Sequence, residues 1–405
     1  MSPAAEIITI GNELLRGNTL NTNAQFLGKE LTRLGFSVRA QSACPDSPPA
    51  IQDALDRALC QADLVILSGG LGPTPDDVTR EAIAEYFKRP LVFSKSQYHS
   101  IQQYYRRHGH AIPSQVRKEA YYPQKATPLV NRFGIALGFY LLSGKQLLIV
   151  LPGVPAELEN MFRDQVVPLL KRYFRRLAPK PLLVAKLTGI SEPSIMTKLG
   201  HDFFDNSFDF GIYPEAGQVT IRIYAERPTL LRCLRSKMKE RLGEFIYAWD
   251  EITLTEITGR ILARKKKTLS VAESCTGGLL ASELTKIAGA SRYFKGGMIA
   301  YSNQVKEELG ISKSVLAAEG AVSKKVAAAL AQNIRHLLKT DYGVGITGIA
   351  GPTGGTPAKP VGLVFISLAD RTQVKVCRHL FWGDRRQVQI KAVRKALEYL
   401  WRKIR

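Results

Sequence analysis

Thr268-Leu-Ser-Val-Ala-Glu-Ser-Cys-Thr-Gly-Gly278 is the stretch on which the reading of the fold turns. A short apolar run breaks at Glu273-Ser274, two glycines follow, and Leu279 to Ile287 repeats apolar residues at helical spacing. The pattern predicts a strand, a tight turn and a helix. Ser274 then stands at the carboxyl end of a strand, beside the N–H groups of a helix N-terminus, where a hydroxyl can serve as a nucleophile and an oxyanion can be received. Helix capping by Ser274 or Thr276 is an equal reading of the same residues.

The same alternation recurs outward in both directions. Glu6 to Ile10 predicts a strand, Gly11-Asn-Glu13 a polar loop, and Asn23 to Leu34 a helix. A helix over 51–61 leads to the strand Asp63 to Leu67, which empties into Ser68-Gly-Gly-Leu-Gly-Pro-Thr-Pro-Asp-Asp-Val-Thr79. Glycines there let backbone N–H groups approach a phosphate, and a helix beginning near Asp77 adds its positive end. Asp76 and Asp77 can cap that helix or face a divalent cation held against a diphosphate. The span from Ser94 to Tyr122 reads as irregular; its His99, His108 and His110 fit an exposed segment better than a metal site. A strand over 146–151 runs through Pro152-Gly-Val-Pro into Glu157 and a helix over 158–170, so Glu157 is a further carboxylate at a strand-to-helix junction, with capping as its plain alternative.

Leu177-Ala-Pro-Lys-Pro181 marks a boundary, followed by a strand, a helix, a strand pair and a basic helix over 229–241. The last part returns to alternation, with a strand over 341–346, a long glycine-rich loop from Thr347 to Pro360, and a final helix from Arg385. The expected fold class is α/β: two three-layer α/β domains, residues 1–176 and 251–405, joined by a small α+β module at 177–250.

Composition sets the outer limits. A chain of 405 residues exceeds one hydrophobic core, and 45% hydrophobic with 23% charged residues is ordinary for a globular protein. Apolar runs are too short to span a bilayer and no signal segment stands out, which predicts a cytoplasmic protein without a membrane partner. Five scattered cysteines without a CxxC pair predict free thiols, and Cys275 reads as a small buried neighbour of the nucleophile. The net charge of +22 favours anionic partners, although dispersed solvated faces give the same number.

Ala272-Glu-Ser-Cys-Thr-Gly-Gly278, Ala300-Tyr-Ser-Asn303 with Lys306, Gly320-Ala-Val-Ser323, Thr347-Gly-Ile-Ala-Gly-Pro352 with Lys359-Pro-Val-Gly362, and Phe381 with Gly383-Asp-Arg385 together resemble the CinA C-terminal domain. Gly11 and Glu13, Asn21-Thr-Asn23, Gly69 to Asp77 with Thr79, and Leu151-Pro-Gly-Val-Pro155 with Glu157 resemble the companion N-terminal domain, which has the molybdopterin-binding, MogA-like fold. The module between them resembles the KH-like linker domain of full-length CinA proteins.

The resemblance implies a nicotinamide mononucleotide deamidase, an amidohydrolase of pyridine nucleotide salvage that releases nicotinate mononucleotide and ammonia without a cofactor. No histidine lies near the C-terminal motifs, so Lys306 is the expected base for Ser274, with Tyr301 positioning or relaying the proton. Backbone N–H groups from Cys275 through Thr276 and Gly277 to Gly278 would receive the oxyanion. Thr347, Gly348, Gly351, Gly354 and Gly355 would let the loop wrap the ribose phosphate, with Lys359 or Arg385 supplying charge.

For the N-terminal domain the resemblance implies ADP-ribose pyrophosphatase activity with magnesium, manganese or cobalt. Gly11, Glu13, Asn23, Gly69, Gly70, Gly72, Thr74 and Thr79 would hold phosphate there, and Asp77 with Glu157 the metal. The chain departs from the family pattern at Glu119, Ile135 and Leu137, and a charge on Glu119 is expected to repel a diphosphate. Small nucleotides are the expected partners and a homodimer the expected assembly. The competing class is a non-enzymatic, competence-associated or nucleic-acid-binding protein; nucleic acid is disfavoured because no Gly-x-x-Gly clamp stands between Leu182 and Trp249.

Overall fold

A computed structural model describes residues 2–175, 177–205 and 207–405. Arg176, the residue at which the sequence places the end of the first domain, lies outside them. The chain forms two compact units, residues 1–180 and 181–405.

The first unit is built on a six-stranded sheet in the order Ser37–Cys44, Ala4–Ile10, Leu64–Ser68, Gln146–Leu151, Gly138–Ser143, Thr127–Leu129. The first four strands are parallel and the last two antiparallel. The central strands are apolar almost throughout because both faces are covered. Ile8, Val65, Leu67, Leu148 and Val150 pack on one side with the helix Pro48–Gln61, while Ile7, Leu64, Ile66, Leu147 and Ile149 pack on the other with the helix Thr22–Leu34. All these strand residues are buried, and each contributes about 1.5–3 kcal/mol of transfer free energy.

The structure corrects the sequence reading of 94–122. That segment holds a helix, Lys95–Arg107, capped by the Ser94 hydroxyl, and a 3-10 helix, Ser114–Ala120. The helix Lys95–Arg107 is mostly polar and buries few residues, so little apolar surface marks it in the sequence; Ile101 packs with Val116 and Ala120 of the 3-10 helix.

The second unit holds two sheets. A four-stranded antiparallel sheet runs Phe208–Glu215, Gln218–Ala225, Leu182–Thr188, Ile246–Ala248, with helices Glu192–Leu199 and Pro228–Leu242 packed into the same core. A five-stranded sheet runs Phe294–Ile299, Leu269–Glu273, Tyr342–Gly348, Leu363–Ala369, Val374–Leu380; its first three strands are parallel and the rest antiparallel. Helices Leu254–Arg264 and Arg385–Ile404 cover one face and Lys324–Leu337 the other.

The two sheets of this unit are bonded through the last helix. Arg394 donates to the Glu215 carboxylate at 3.0 Å and to the Ala216 carbonyl at 2.8 Å, and Trp401 packs edge-on against Tyr247. Glu398, buried in that helix, is satisfied by Lys395 at 2.6 Å and Arg402 at 2.9 Å. Among the described residues, no helix is long and apolar enough to cross a membrane.

Candidate active site

Leu269–Glu273 lies between two parallel neighbours, Glu273 pairing with Ile299 on one side and Ile346 on the other. The next N–H, of Ser274, still donates to the Ile346 carbonyl at 2.9 Å, so the nucleophile candidate leaves the sheet at its carboxyl end with its backbone fixed. There the chain turns: Gly277 N–H donates to the Ser274 carbonyl at 3.0 Å. Gly277 at φ 61° and Gly278 at φ 91° take up the left-handed backbone that leads into the helix Leu279–Thr285. The Ser274 side chain is buried, at 8% exposure.

Glu273 decides what this turn offers. Its buried carboxylate accepts from Leu280 N–H at 3.0 Å and Ala281 N–H at 2.8 Å, closing the turn from the strand side. Glu273 therefore takes up the amides of Leu280 and Ala281, and of the four expected oxyanion donors the Gly277 N–H is spent within the turn. Gln389 donates to the Cys275 carbonyl at 2.9 Å and ties the turn from the opposite flank. Neither contact is visible in local spacing.

Lys306 is 1% exposed. Its ammonium donates to the carbonyls of Ala300 at 2.8 Å and Tyr301 at 2.9 Å, with a longer contact of 3.4 Å to Ser302. Burial pushes its pKa below the ordinary lysine value, and the Cys275 thiol acts weakly against that shift. The same burial pushes the Cys275 thiol up to about 12, which removes it as a nucleophile at neutral pH. Lys306 and Arg385 both act electrostatically on Cys275, so both cations lie around the turn that carries Ser274.

Tyr301 is more than half exposed, and its hydroxyl accepts from Arg385 at 3.0 Å; Arg385 also donates to the Gly351 carbonyl at 2.8 Å. The glycine-rich loop is thus fastened to Arg385 and Tyr301. Lys359 is directed elsewhere, its ammonium donating to the Glu319 carbonyl at 2.6 Å, and the buried Thr347 hydroxyl donates to the Ala321 carbonyl at 2.8 Å. Gly348, Gly354 and Gly355 shape the same loop, where a Cβ on Gly355 would come within 2.8 Å of the Val361 nitrogen. His379 is 2.7 Å from the Tyr399 hydroxyl, and no histidine pairs with Ser274 among the described residues.

In the first unit, Gly11, Glu13, Gly69, Gly70, Gly72, Asp77 and Glu157 come together around a pocket of about 340 Å³, with Glu119 and Ile135 in its wall. A Cβ at Gly69 would collide with the Ile10 carbonyl, which accounts for that glycine. Three expected phosphate ligands are instead internal ties. Asn23 donates to the Ser68 hydroxyl at 3.0 Å and the Gly153 carbonyl at 2.7 Å, Thr79 to the Gly69 carbonyl at 2.8 Å, and Thr74 to the carboxylates of Asp76 and Asp77.

The charged residues lining this pocket are Glu13, Asp46, Asp76, Asp77, Glu119 and Glu157, all acidic. The helix begins at Thr79, and neither Asp76 nor Asp77 caps it. Asp77 also accepts from the Thr74 N–H at 2.9 Å, and Glu157 accepts from Asn131. Among the described residues no group of three or more His, Cys, Asp or Glu side chains is assembled as a metal site; Asp77 and Glu157 both line the acidic pocket.

Glu119 also differs from expectation. It is 1% exposed, both its oxygens lack partners, and burial pushes its pKa up to about 8, with the charges of Glu157 and Asp77 adding to the rise and Arg80 opposing it. Near pH 7 it is mostly a neutral acid, so the repulsive charge read from the sequence is largely absent.

The second unit thus contains a three-layer α/β arrangement with a serine at the carboxyl end of a central strand, and the first is an α/β unit on a mostly parallel sheet. The profile described as "CinA C-terminal domain" matches residues 251–404, and that of "Probable molybdopterin binding domain" matches residues 6–172. The chain is 41% identical to the "Putative competence-damage inducible protein" of Moorella thermoacetica, covering 99% of both chains. It is 39% identical to the "CinA-like protein" of Kosmotoga olearia, covering 98% of both. A solved structure of the protein CinA from Thermoplasma acidophilum, itself described as of unknown function, is 36% identical over 42% of this chain and 98% of that one, with a TM-score of 0.38. The chain belongs to the CinA family.

Proposed function

We propose that the second unit is an amidohydrolase that converts nicotinamide mononucleotide to nicotinate mononucleotide and ammonia, with Ser274 as nucleophile and Lys306 as base. The observation that carries this reading is the environment of Lys306: a lysine 1% exposed, acting electrostatically on the turn that carries Ser274, with burial favouring its neutral form.

A neutral lysine amine has two N–H bonds and one lone pair. The two short contacts, to Ala300 and Tyr301, use both N–H bonds, while the 3.4 Å approach to Ser302 is too long to hold the third position firmly. The lone pair is therefore free to accept a proton. Ser274 Oγ bonds to the carboxamide carbon, its proton passes to Lys306 Nζ, and the carbonyl electron pair moves onto oxygen. Collapse of that oxyanion breaks the C–N bond, Lys306 returns the proton to the leaving nitrogen, and ammonia departs. Water then hydrolyses the acyl-serine ester with Lys306 again taking a proton. Tyr301, through Arg385, keeps the loop at Gly351 in place beside the turn, in keeping with a role in holding the ribose phosphate.

The decisive assay follows ammonia and nicotinate mononucleotide released from nicotinamide mononucleotide by the purified protein and by Ser274→Ala. Turnover is expected to fall by about a thousandfold or more in the variant; undiminished turnover would remove Ser274 from the mechanism.

A further inference from the structure

Ser274 to Gly277 is a β-turn, closed by the 3.0 Å bond from the Gly277 N–H to the Ser274 carbonyl. Its middle peptide joins Cys275 to Thr276. Thr276 stays outside the positive-φ region, so that peptide stands in the sense that a β-branched residue at this place allows. The carbonyls of Ser274 and Thr276 are satisfied locally, the second by the Leu279 N–H at 3.1 Å. The Cys275 carbonyl is held from far along the chain, by the Gln389 side-chain amide at 2.9 Å.

In a trans peptide the N–H points away from the C=O, so a hold on the Cys275 carbonyl also fixes the direction of the Thr276 N–H. A hydrogen bond on the carbonyl polarises the peptide and strengthens that N–H as a donor. The amides of Cys275, Thr276 and Gly278 meet no acceptor among the described residues, so the turn keeps uncommitted donors directly after the nucleophile.

Gln389 is carried on a fixed support. Its helix, Arg385–Ile404, starts at a capping box in which the Asp384 carboxylate accepts from the Gln387 N–H at 2.8 Å, and the neighbouring Val388 is buried. Arg385, one turn earlier on the same face, ties the Gly351 carbonyl and the Tyr301 hydroxyl. Farther along, Arg394 and Trp401 fasten the helix to the four-stranded sheet. A side chain on such an element is placed more precisely than one on a loop.

Resting on the amidase reading above, we infer that Gln389 is a positioning residue of the Ser274 site: through the Cys275 carbonyl it holds the middle peptide of the turn, and with it Ser274, in the arrangement that attack on the carboxamide requires. In this role Gln389 exchanges no proton and acts only through the backbone of Cys275.

The test compares wild type with three variants. Gln389→Met keeps the length of the side chain without a donor, Gln389→Glu sets a carboxylate against the carbonyl at neutral pH, and Gln389→Arg restores N–H donors. Each is measured at neutral pH, well below its unfolding temperature, by steady-state turnover of nicotinamide mononucleotide and by the rate at which an alkyl fluorophosphonate labels Ser274. In that labelling Ser274 Oγ bonds to phosphorus, fluoride leaves, and the serine proton passes to the base. Gln389→Met and Gln389→Glu are expected to lose about tenfold to a hundredfold in kcat with KM little changed, and to be labelled more slowly by a similar factor. Gln389→Arg is expected to recover most of both rates. A role confined to stability would lower the unfolding temperature of the donorless variants and leave the labelling of the folded protein unchanged, and that result overturns the inference. Failure of both donorless variants to fold, a Gln389→Arg no faster than Gln389→Met, or a wild type that is not labelled overturns it as well. If wild type is labelled but does not turn over nicotinamide mononucleotide, the amidase reading fails, and the labelling rates still decide the role of Gln389.

Discussion

Two strand-end glycine turns can be set side by side, 68–79 in the first unit and 273–281 in the second. Both follow a buried strand at the middle of a sheet, and both have a buried glutamate beside them. In the second unit Glu273 is adjacent in sequence and spends both oxygens on two backbone amides. In the first, Glu119 arrives from a distant 3-10 helix with both oxygens unpartnered. The difference teaches that a glycine turn does not by itself define an anion site. What it can receive depends on which carboxylates the rest of the fold brings to it, and whether those are already satisfied.

The sharpest way to break the comparison is to remove the satisfied carboxylate. Glu273→Ala leaves one buried and one half-buried amide without an acceptor and is expected to cost about 3 kcal/mol of stability in the second unit, measured by denaturant unfolding. A loss below about 0.5 kcal/mol, the usual range for a surface change, would mean that water replaces the carboxylate at no cost.

The unsatisfied carboxylate should behave in the opposite sense. Because the folded-state pKa of Glu119 is raised to about 8 from 4.5, its contribution to stability is complete below about pH 4.5 and is lost as pH rises through 8. The groups acting on it are Arg80, Glu157 and Asp77. Glu119→Gln cannot titrate, so its stability relative to wild type should grow from near zero at pH 5 to on the order of a few kcal/mol at pH 9. Parallel stability curves for the two proteins would show that Glu119 is ionised in the fold throughout.

The smallest effect concerns the lysine. Lys306 must be neutral to accept a proton and its pKa is pushed down by burial, so kcat/KM should rise with pH and level off below the range of an ordinary lysine. A limb still rising at pH 10 would place the base elsewhere.

Much of this could be read without coordinates. The run ending at Glu273 and the two glycines after it announce a strand, a turn and a helix, because a positive φ and a change of hydrophobic period are local properties. Ser274, Lys306 and Arg385 emerge as candidates from motif order. The helix Lys95–Arg107 is hard to read from sequence because its residues are mostly polar. Glu273 and Gln389 as ties of the turn were hidden because their partners are set by packing. The uncommitted amides of Cys275 and Thr276 could not be found from sequence at all, since the absence of a partner is known only when every neighbour has been placed.

The sequence by itself determined the alternation of strands and helices, the glycine turns and the chemical candidates within them, since dihedral preference and periodicity act over a few residues. Only the tertiary structure decided their electrostatics. It gave the amides of Leu280 and Ala281 to Glu273, buried Lys306 among carbonyls, set Gln389 on the Cys275 carbonyl, and surrounded the glycine turn of the first unit with acidic groups. Burial and hydrogen-bond satisfaction depend on residues far apart in the chain, and those two quantities set the charge and reactivity of each side chain.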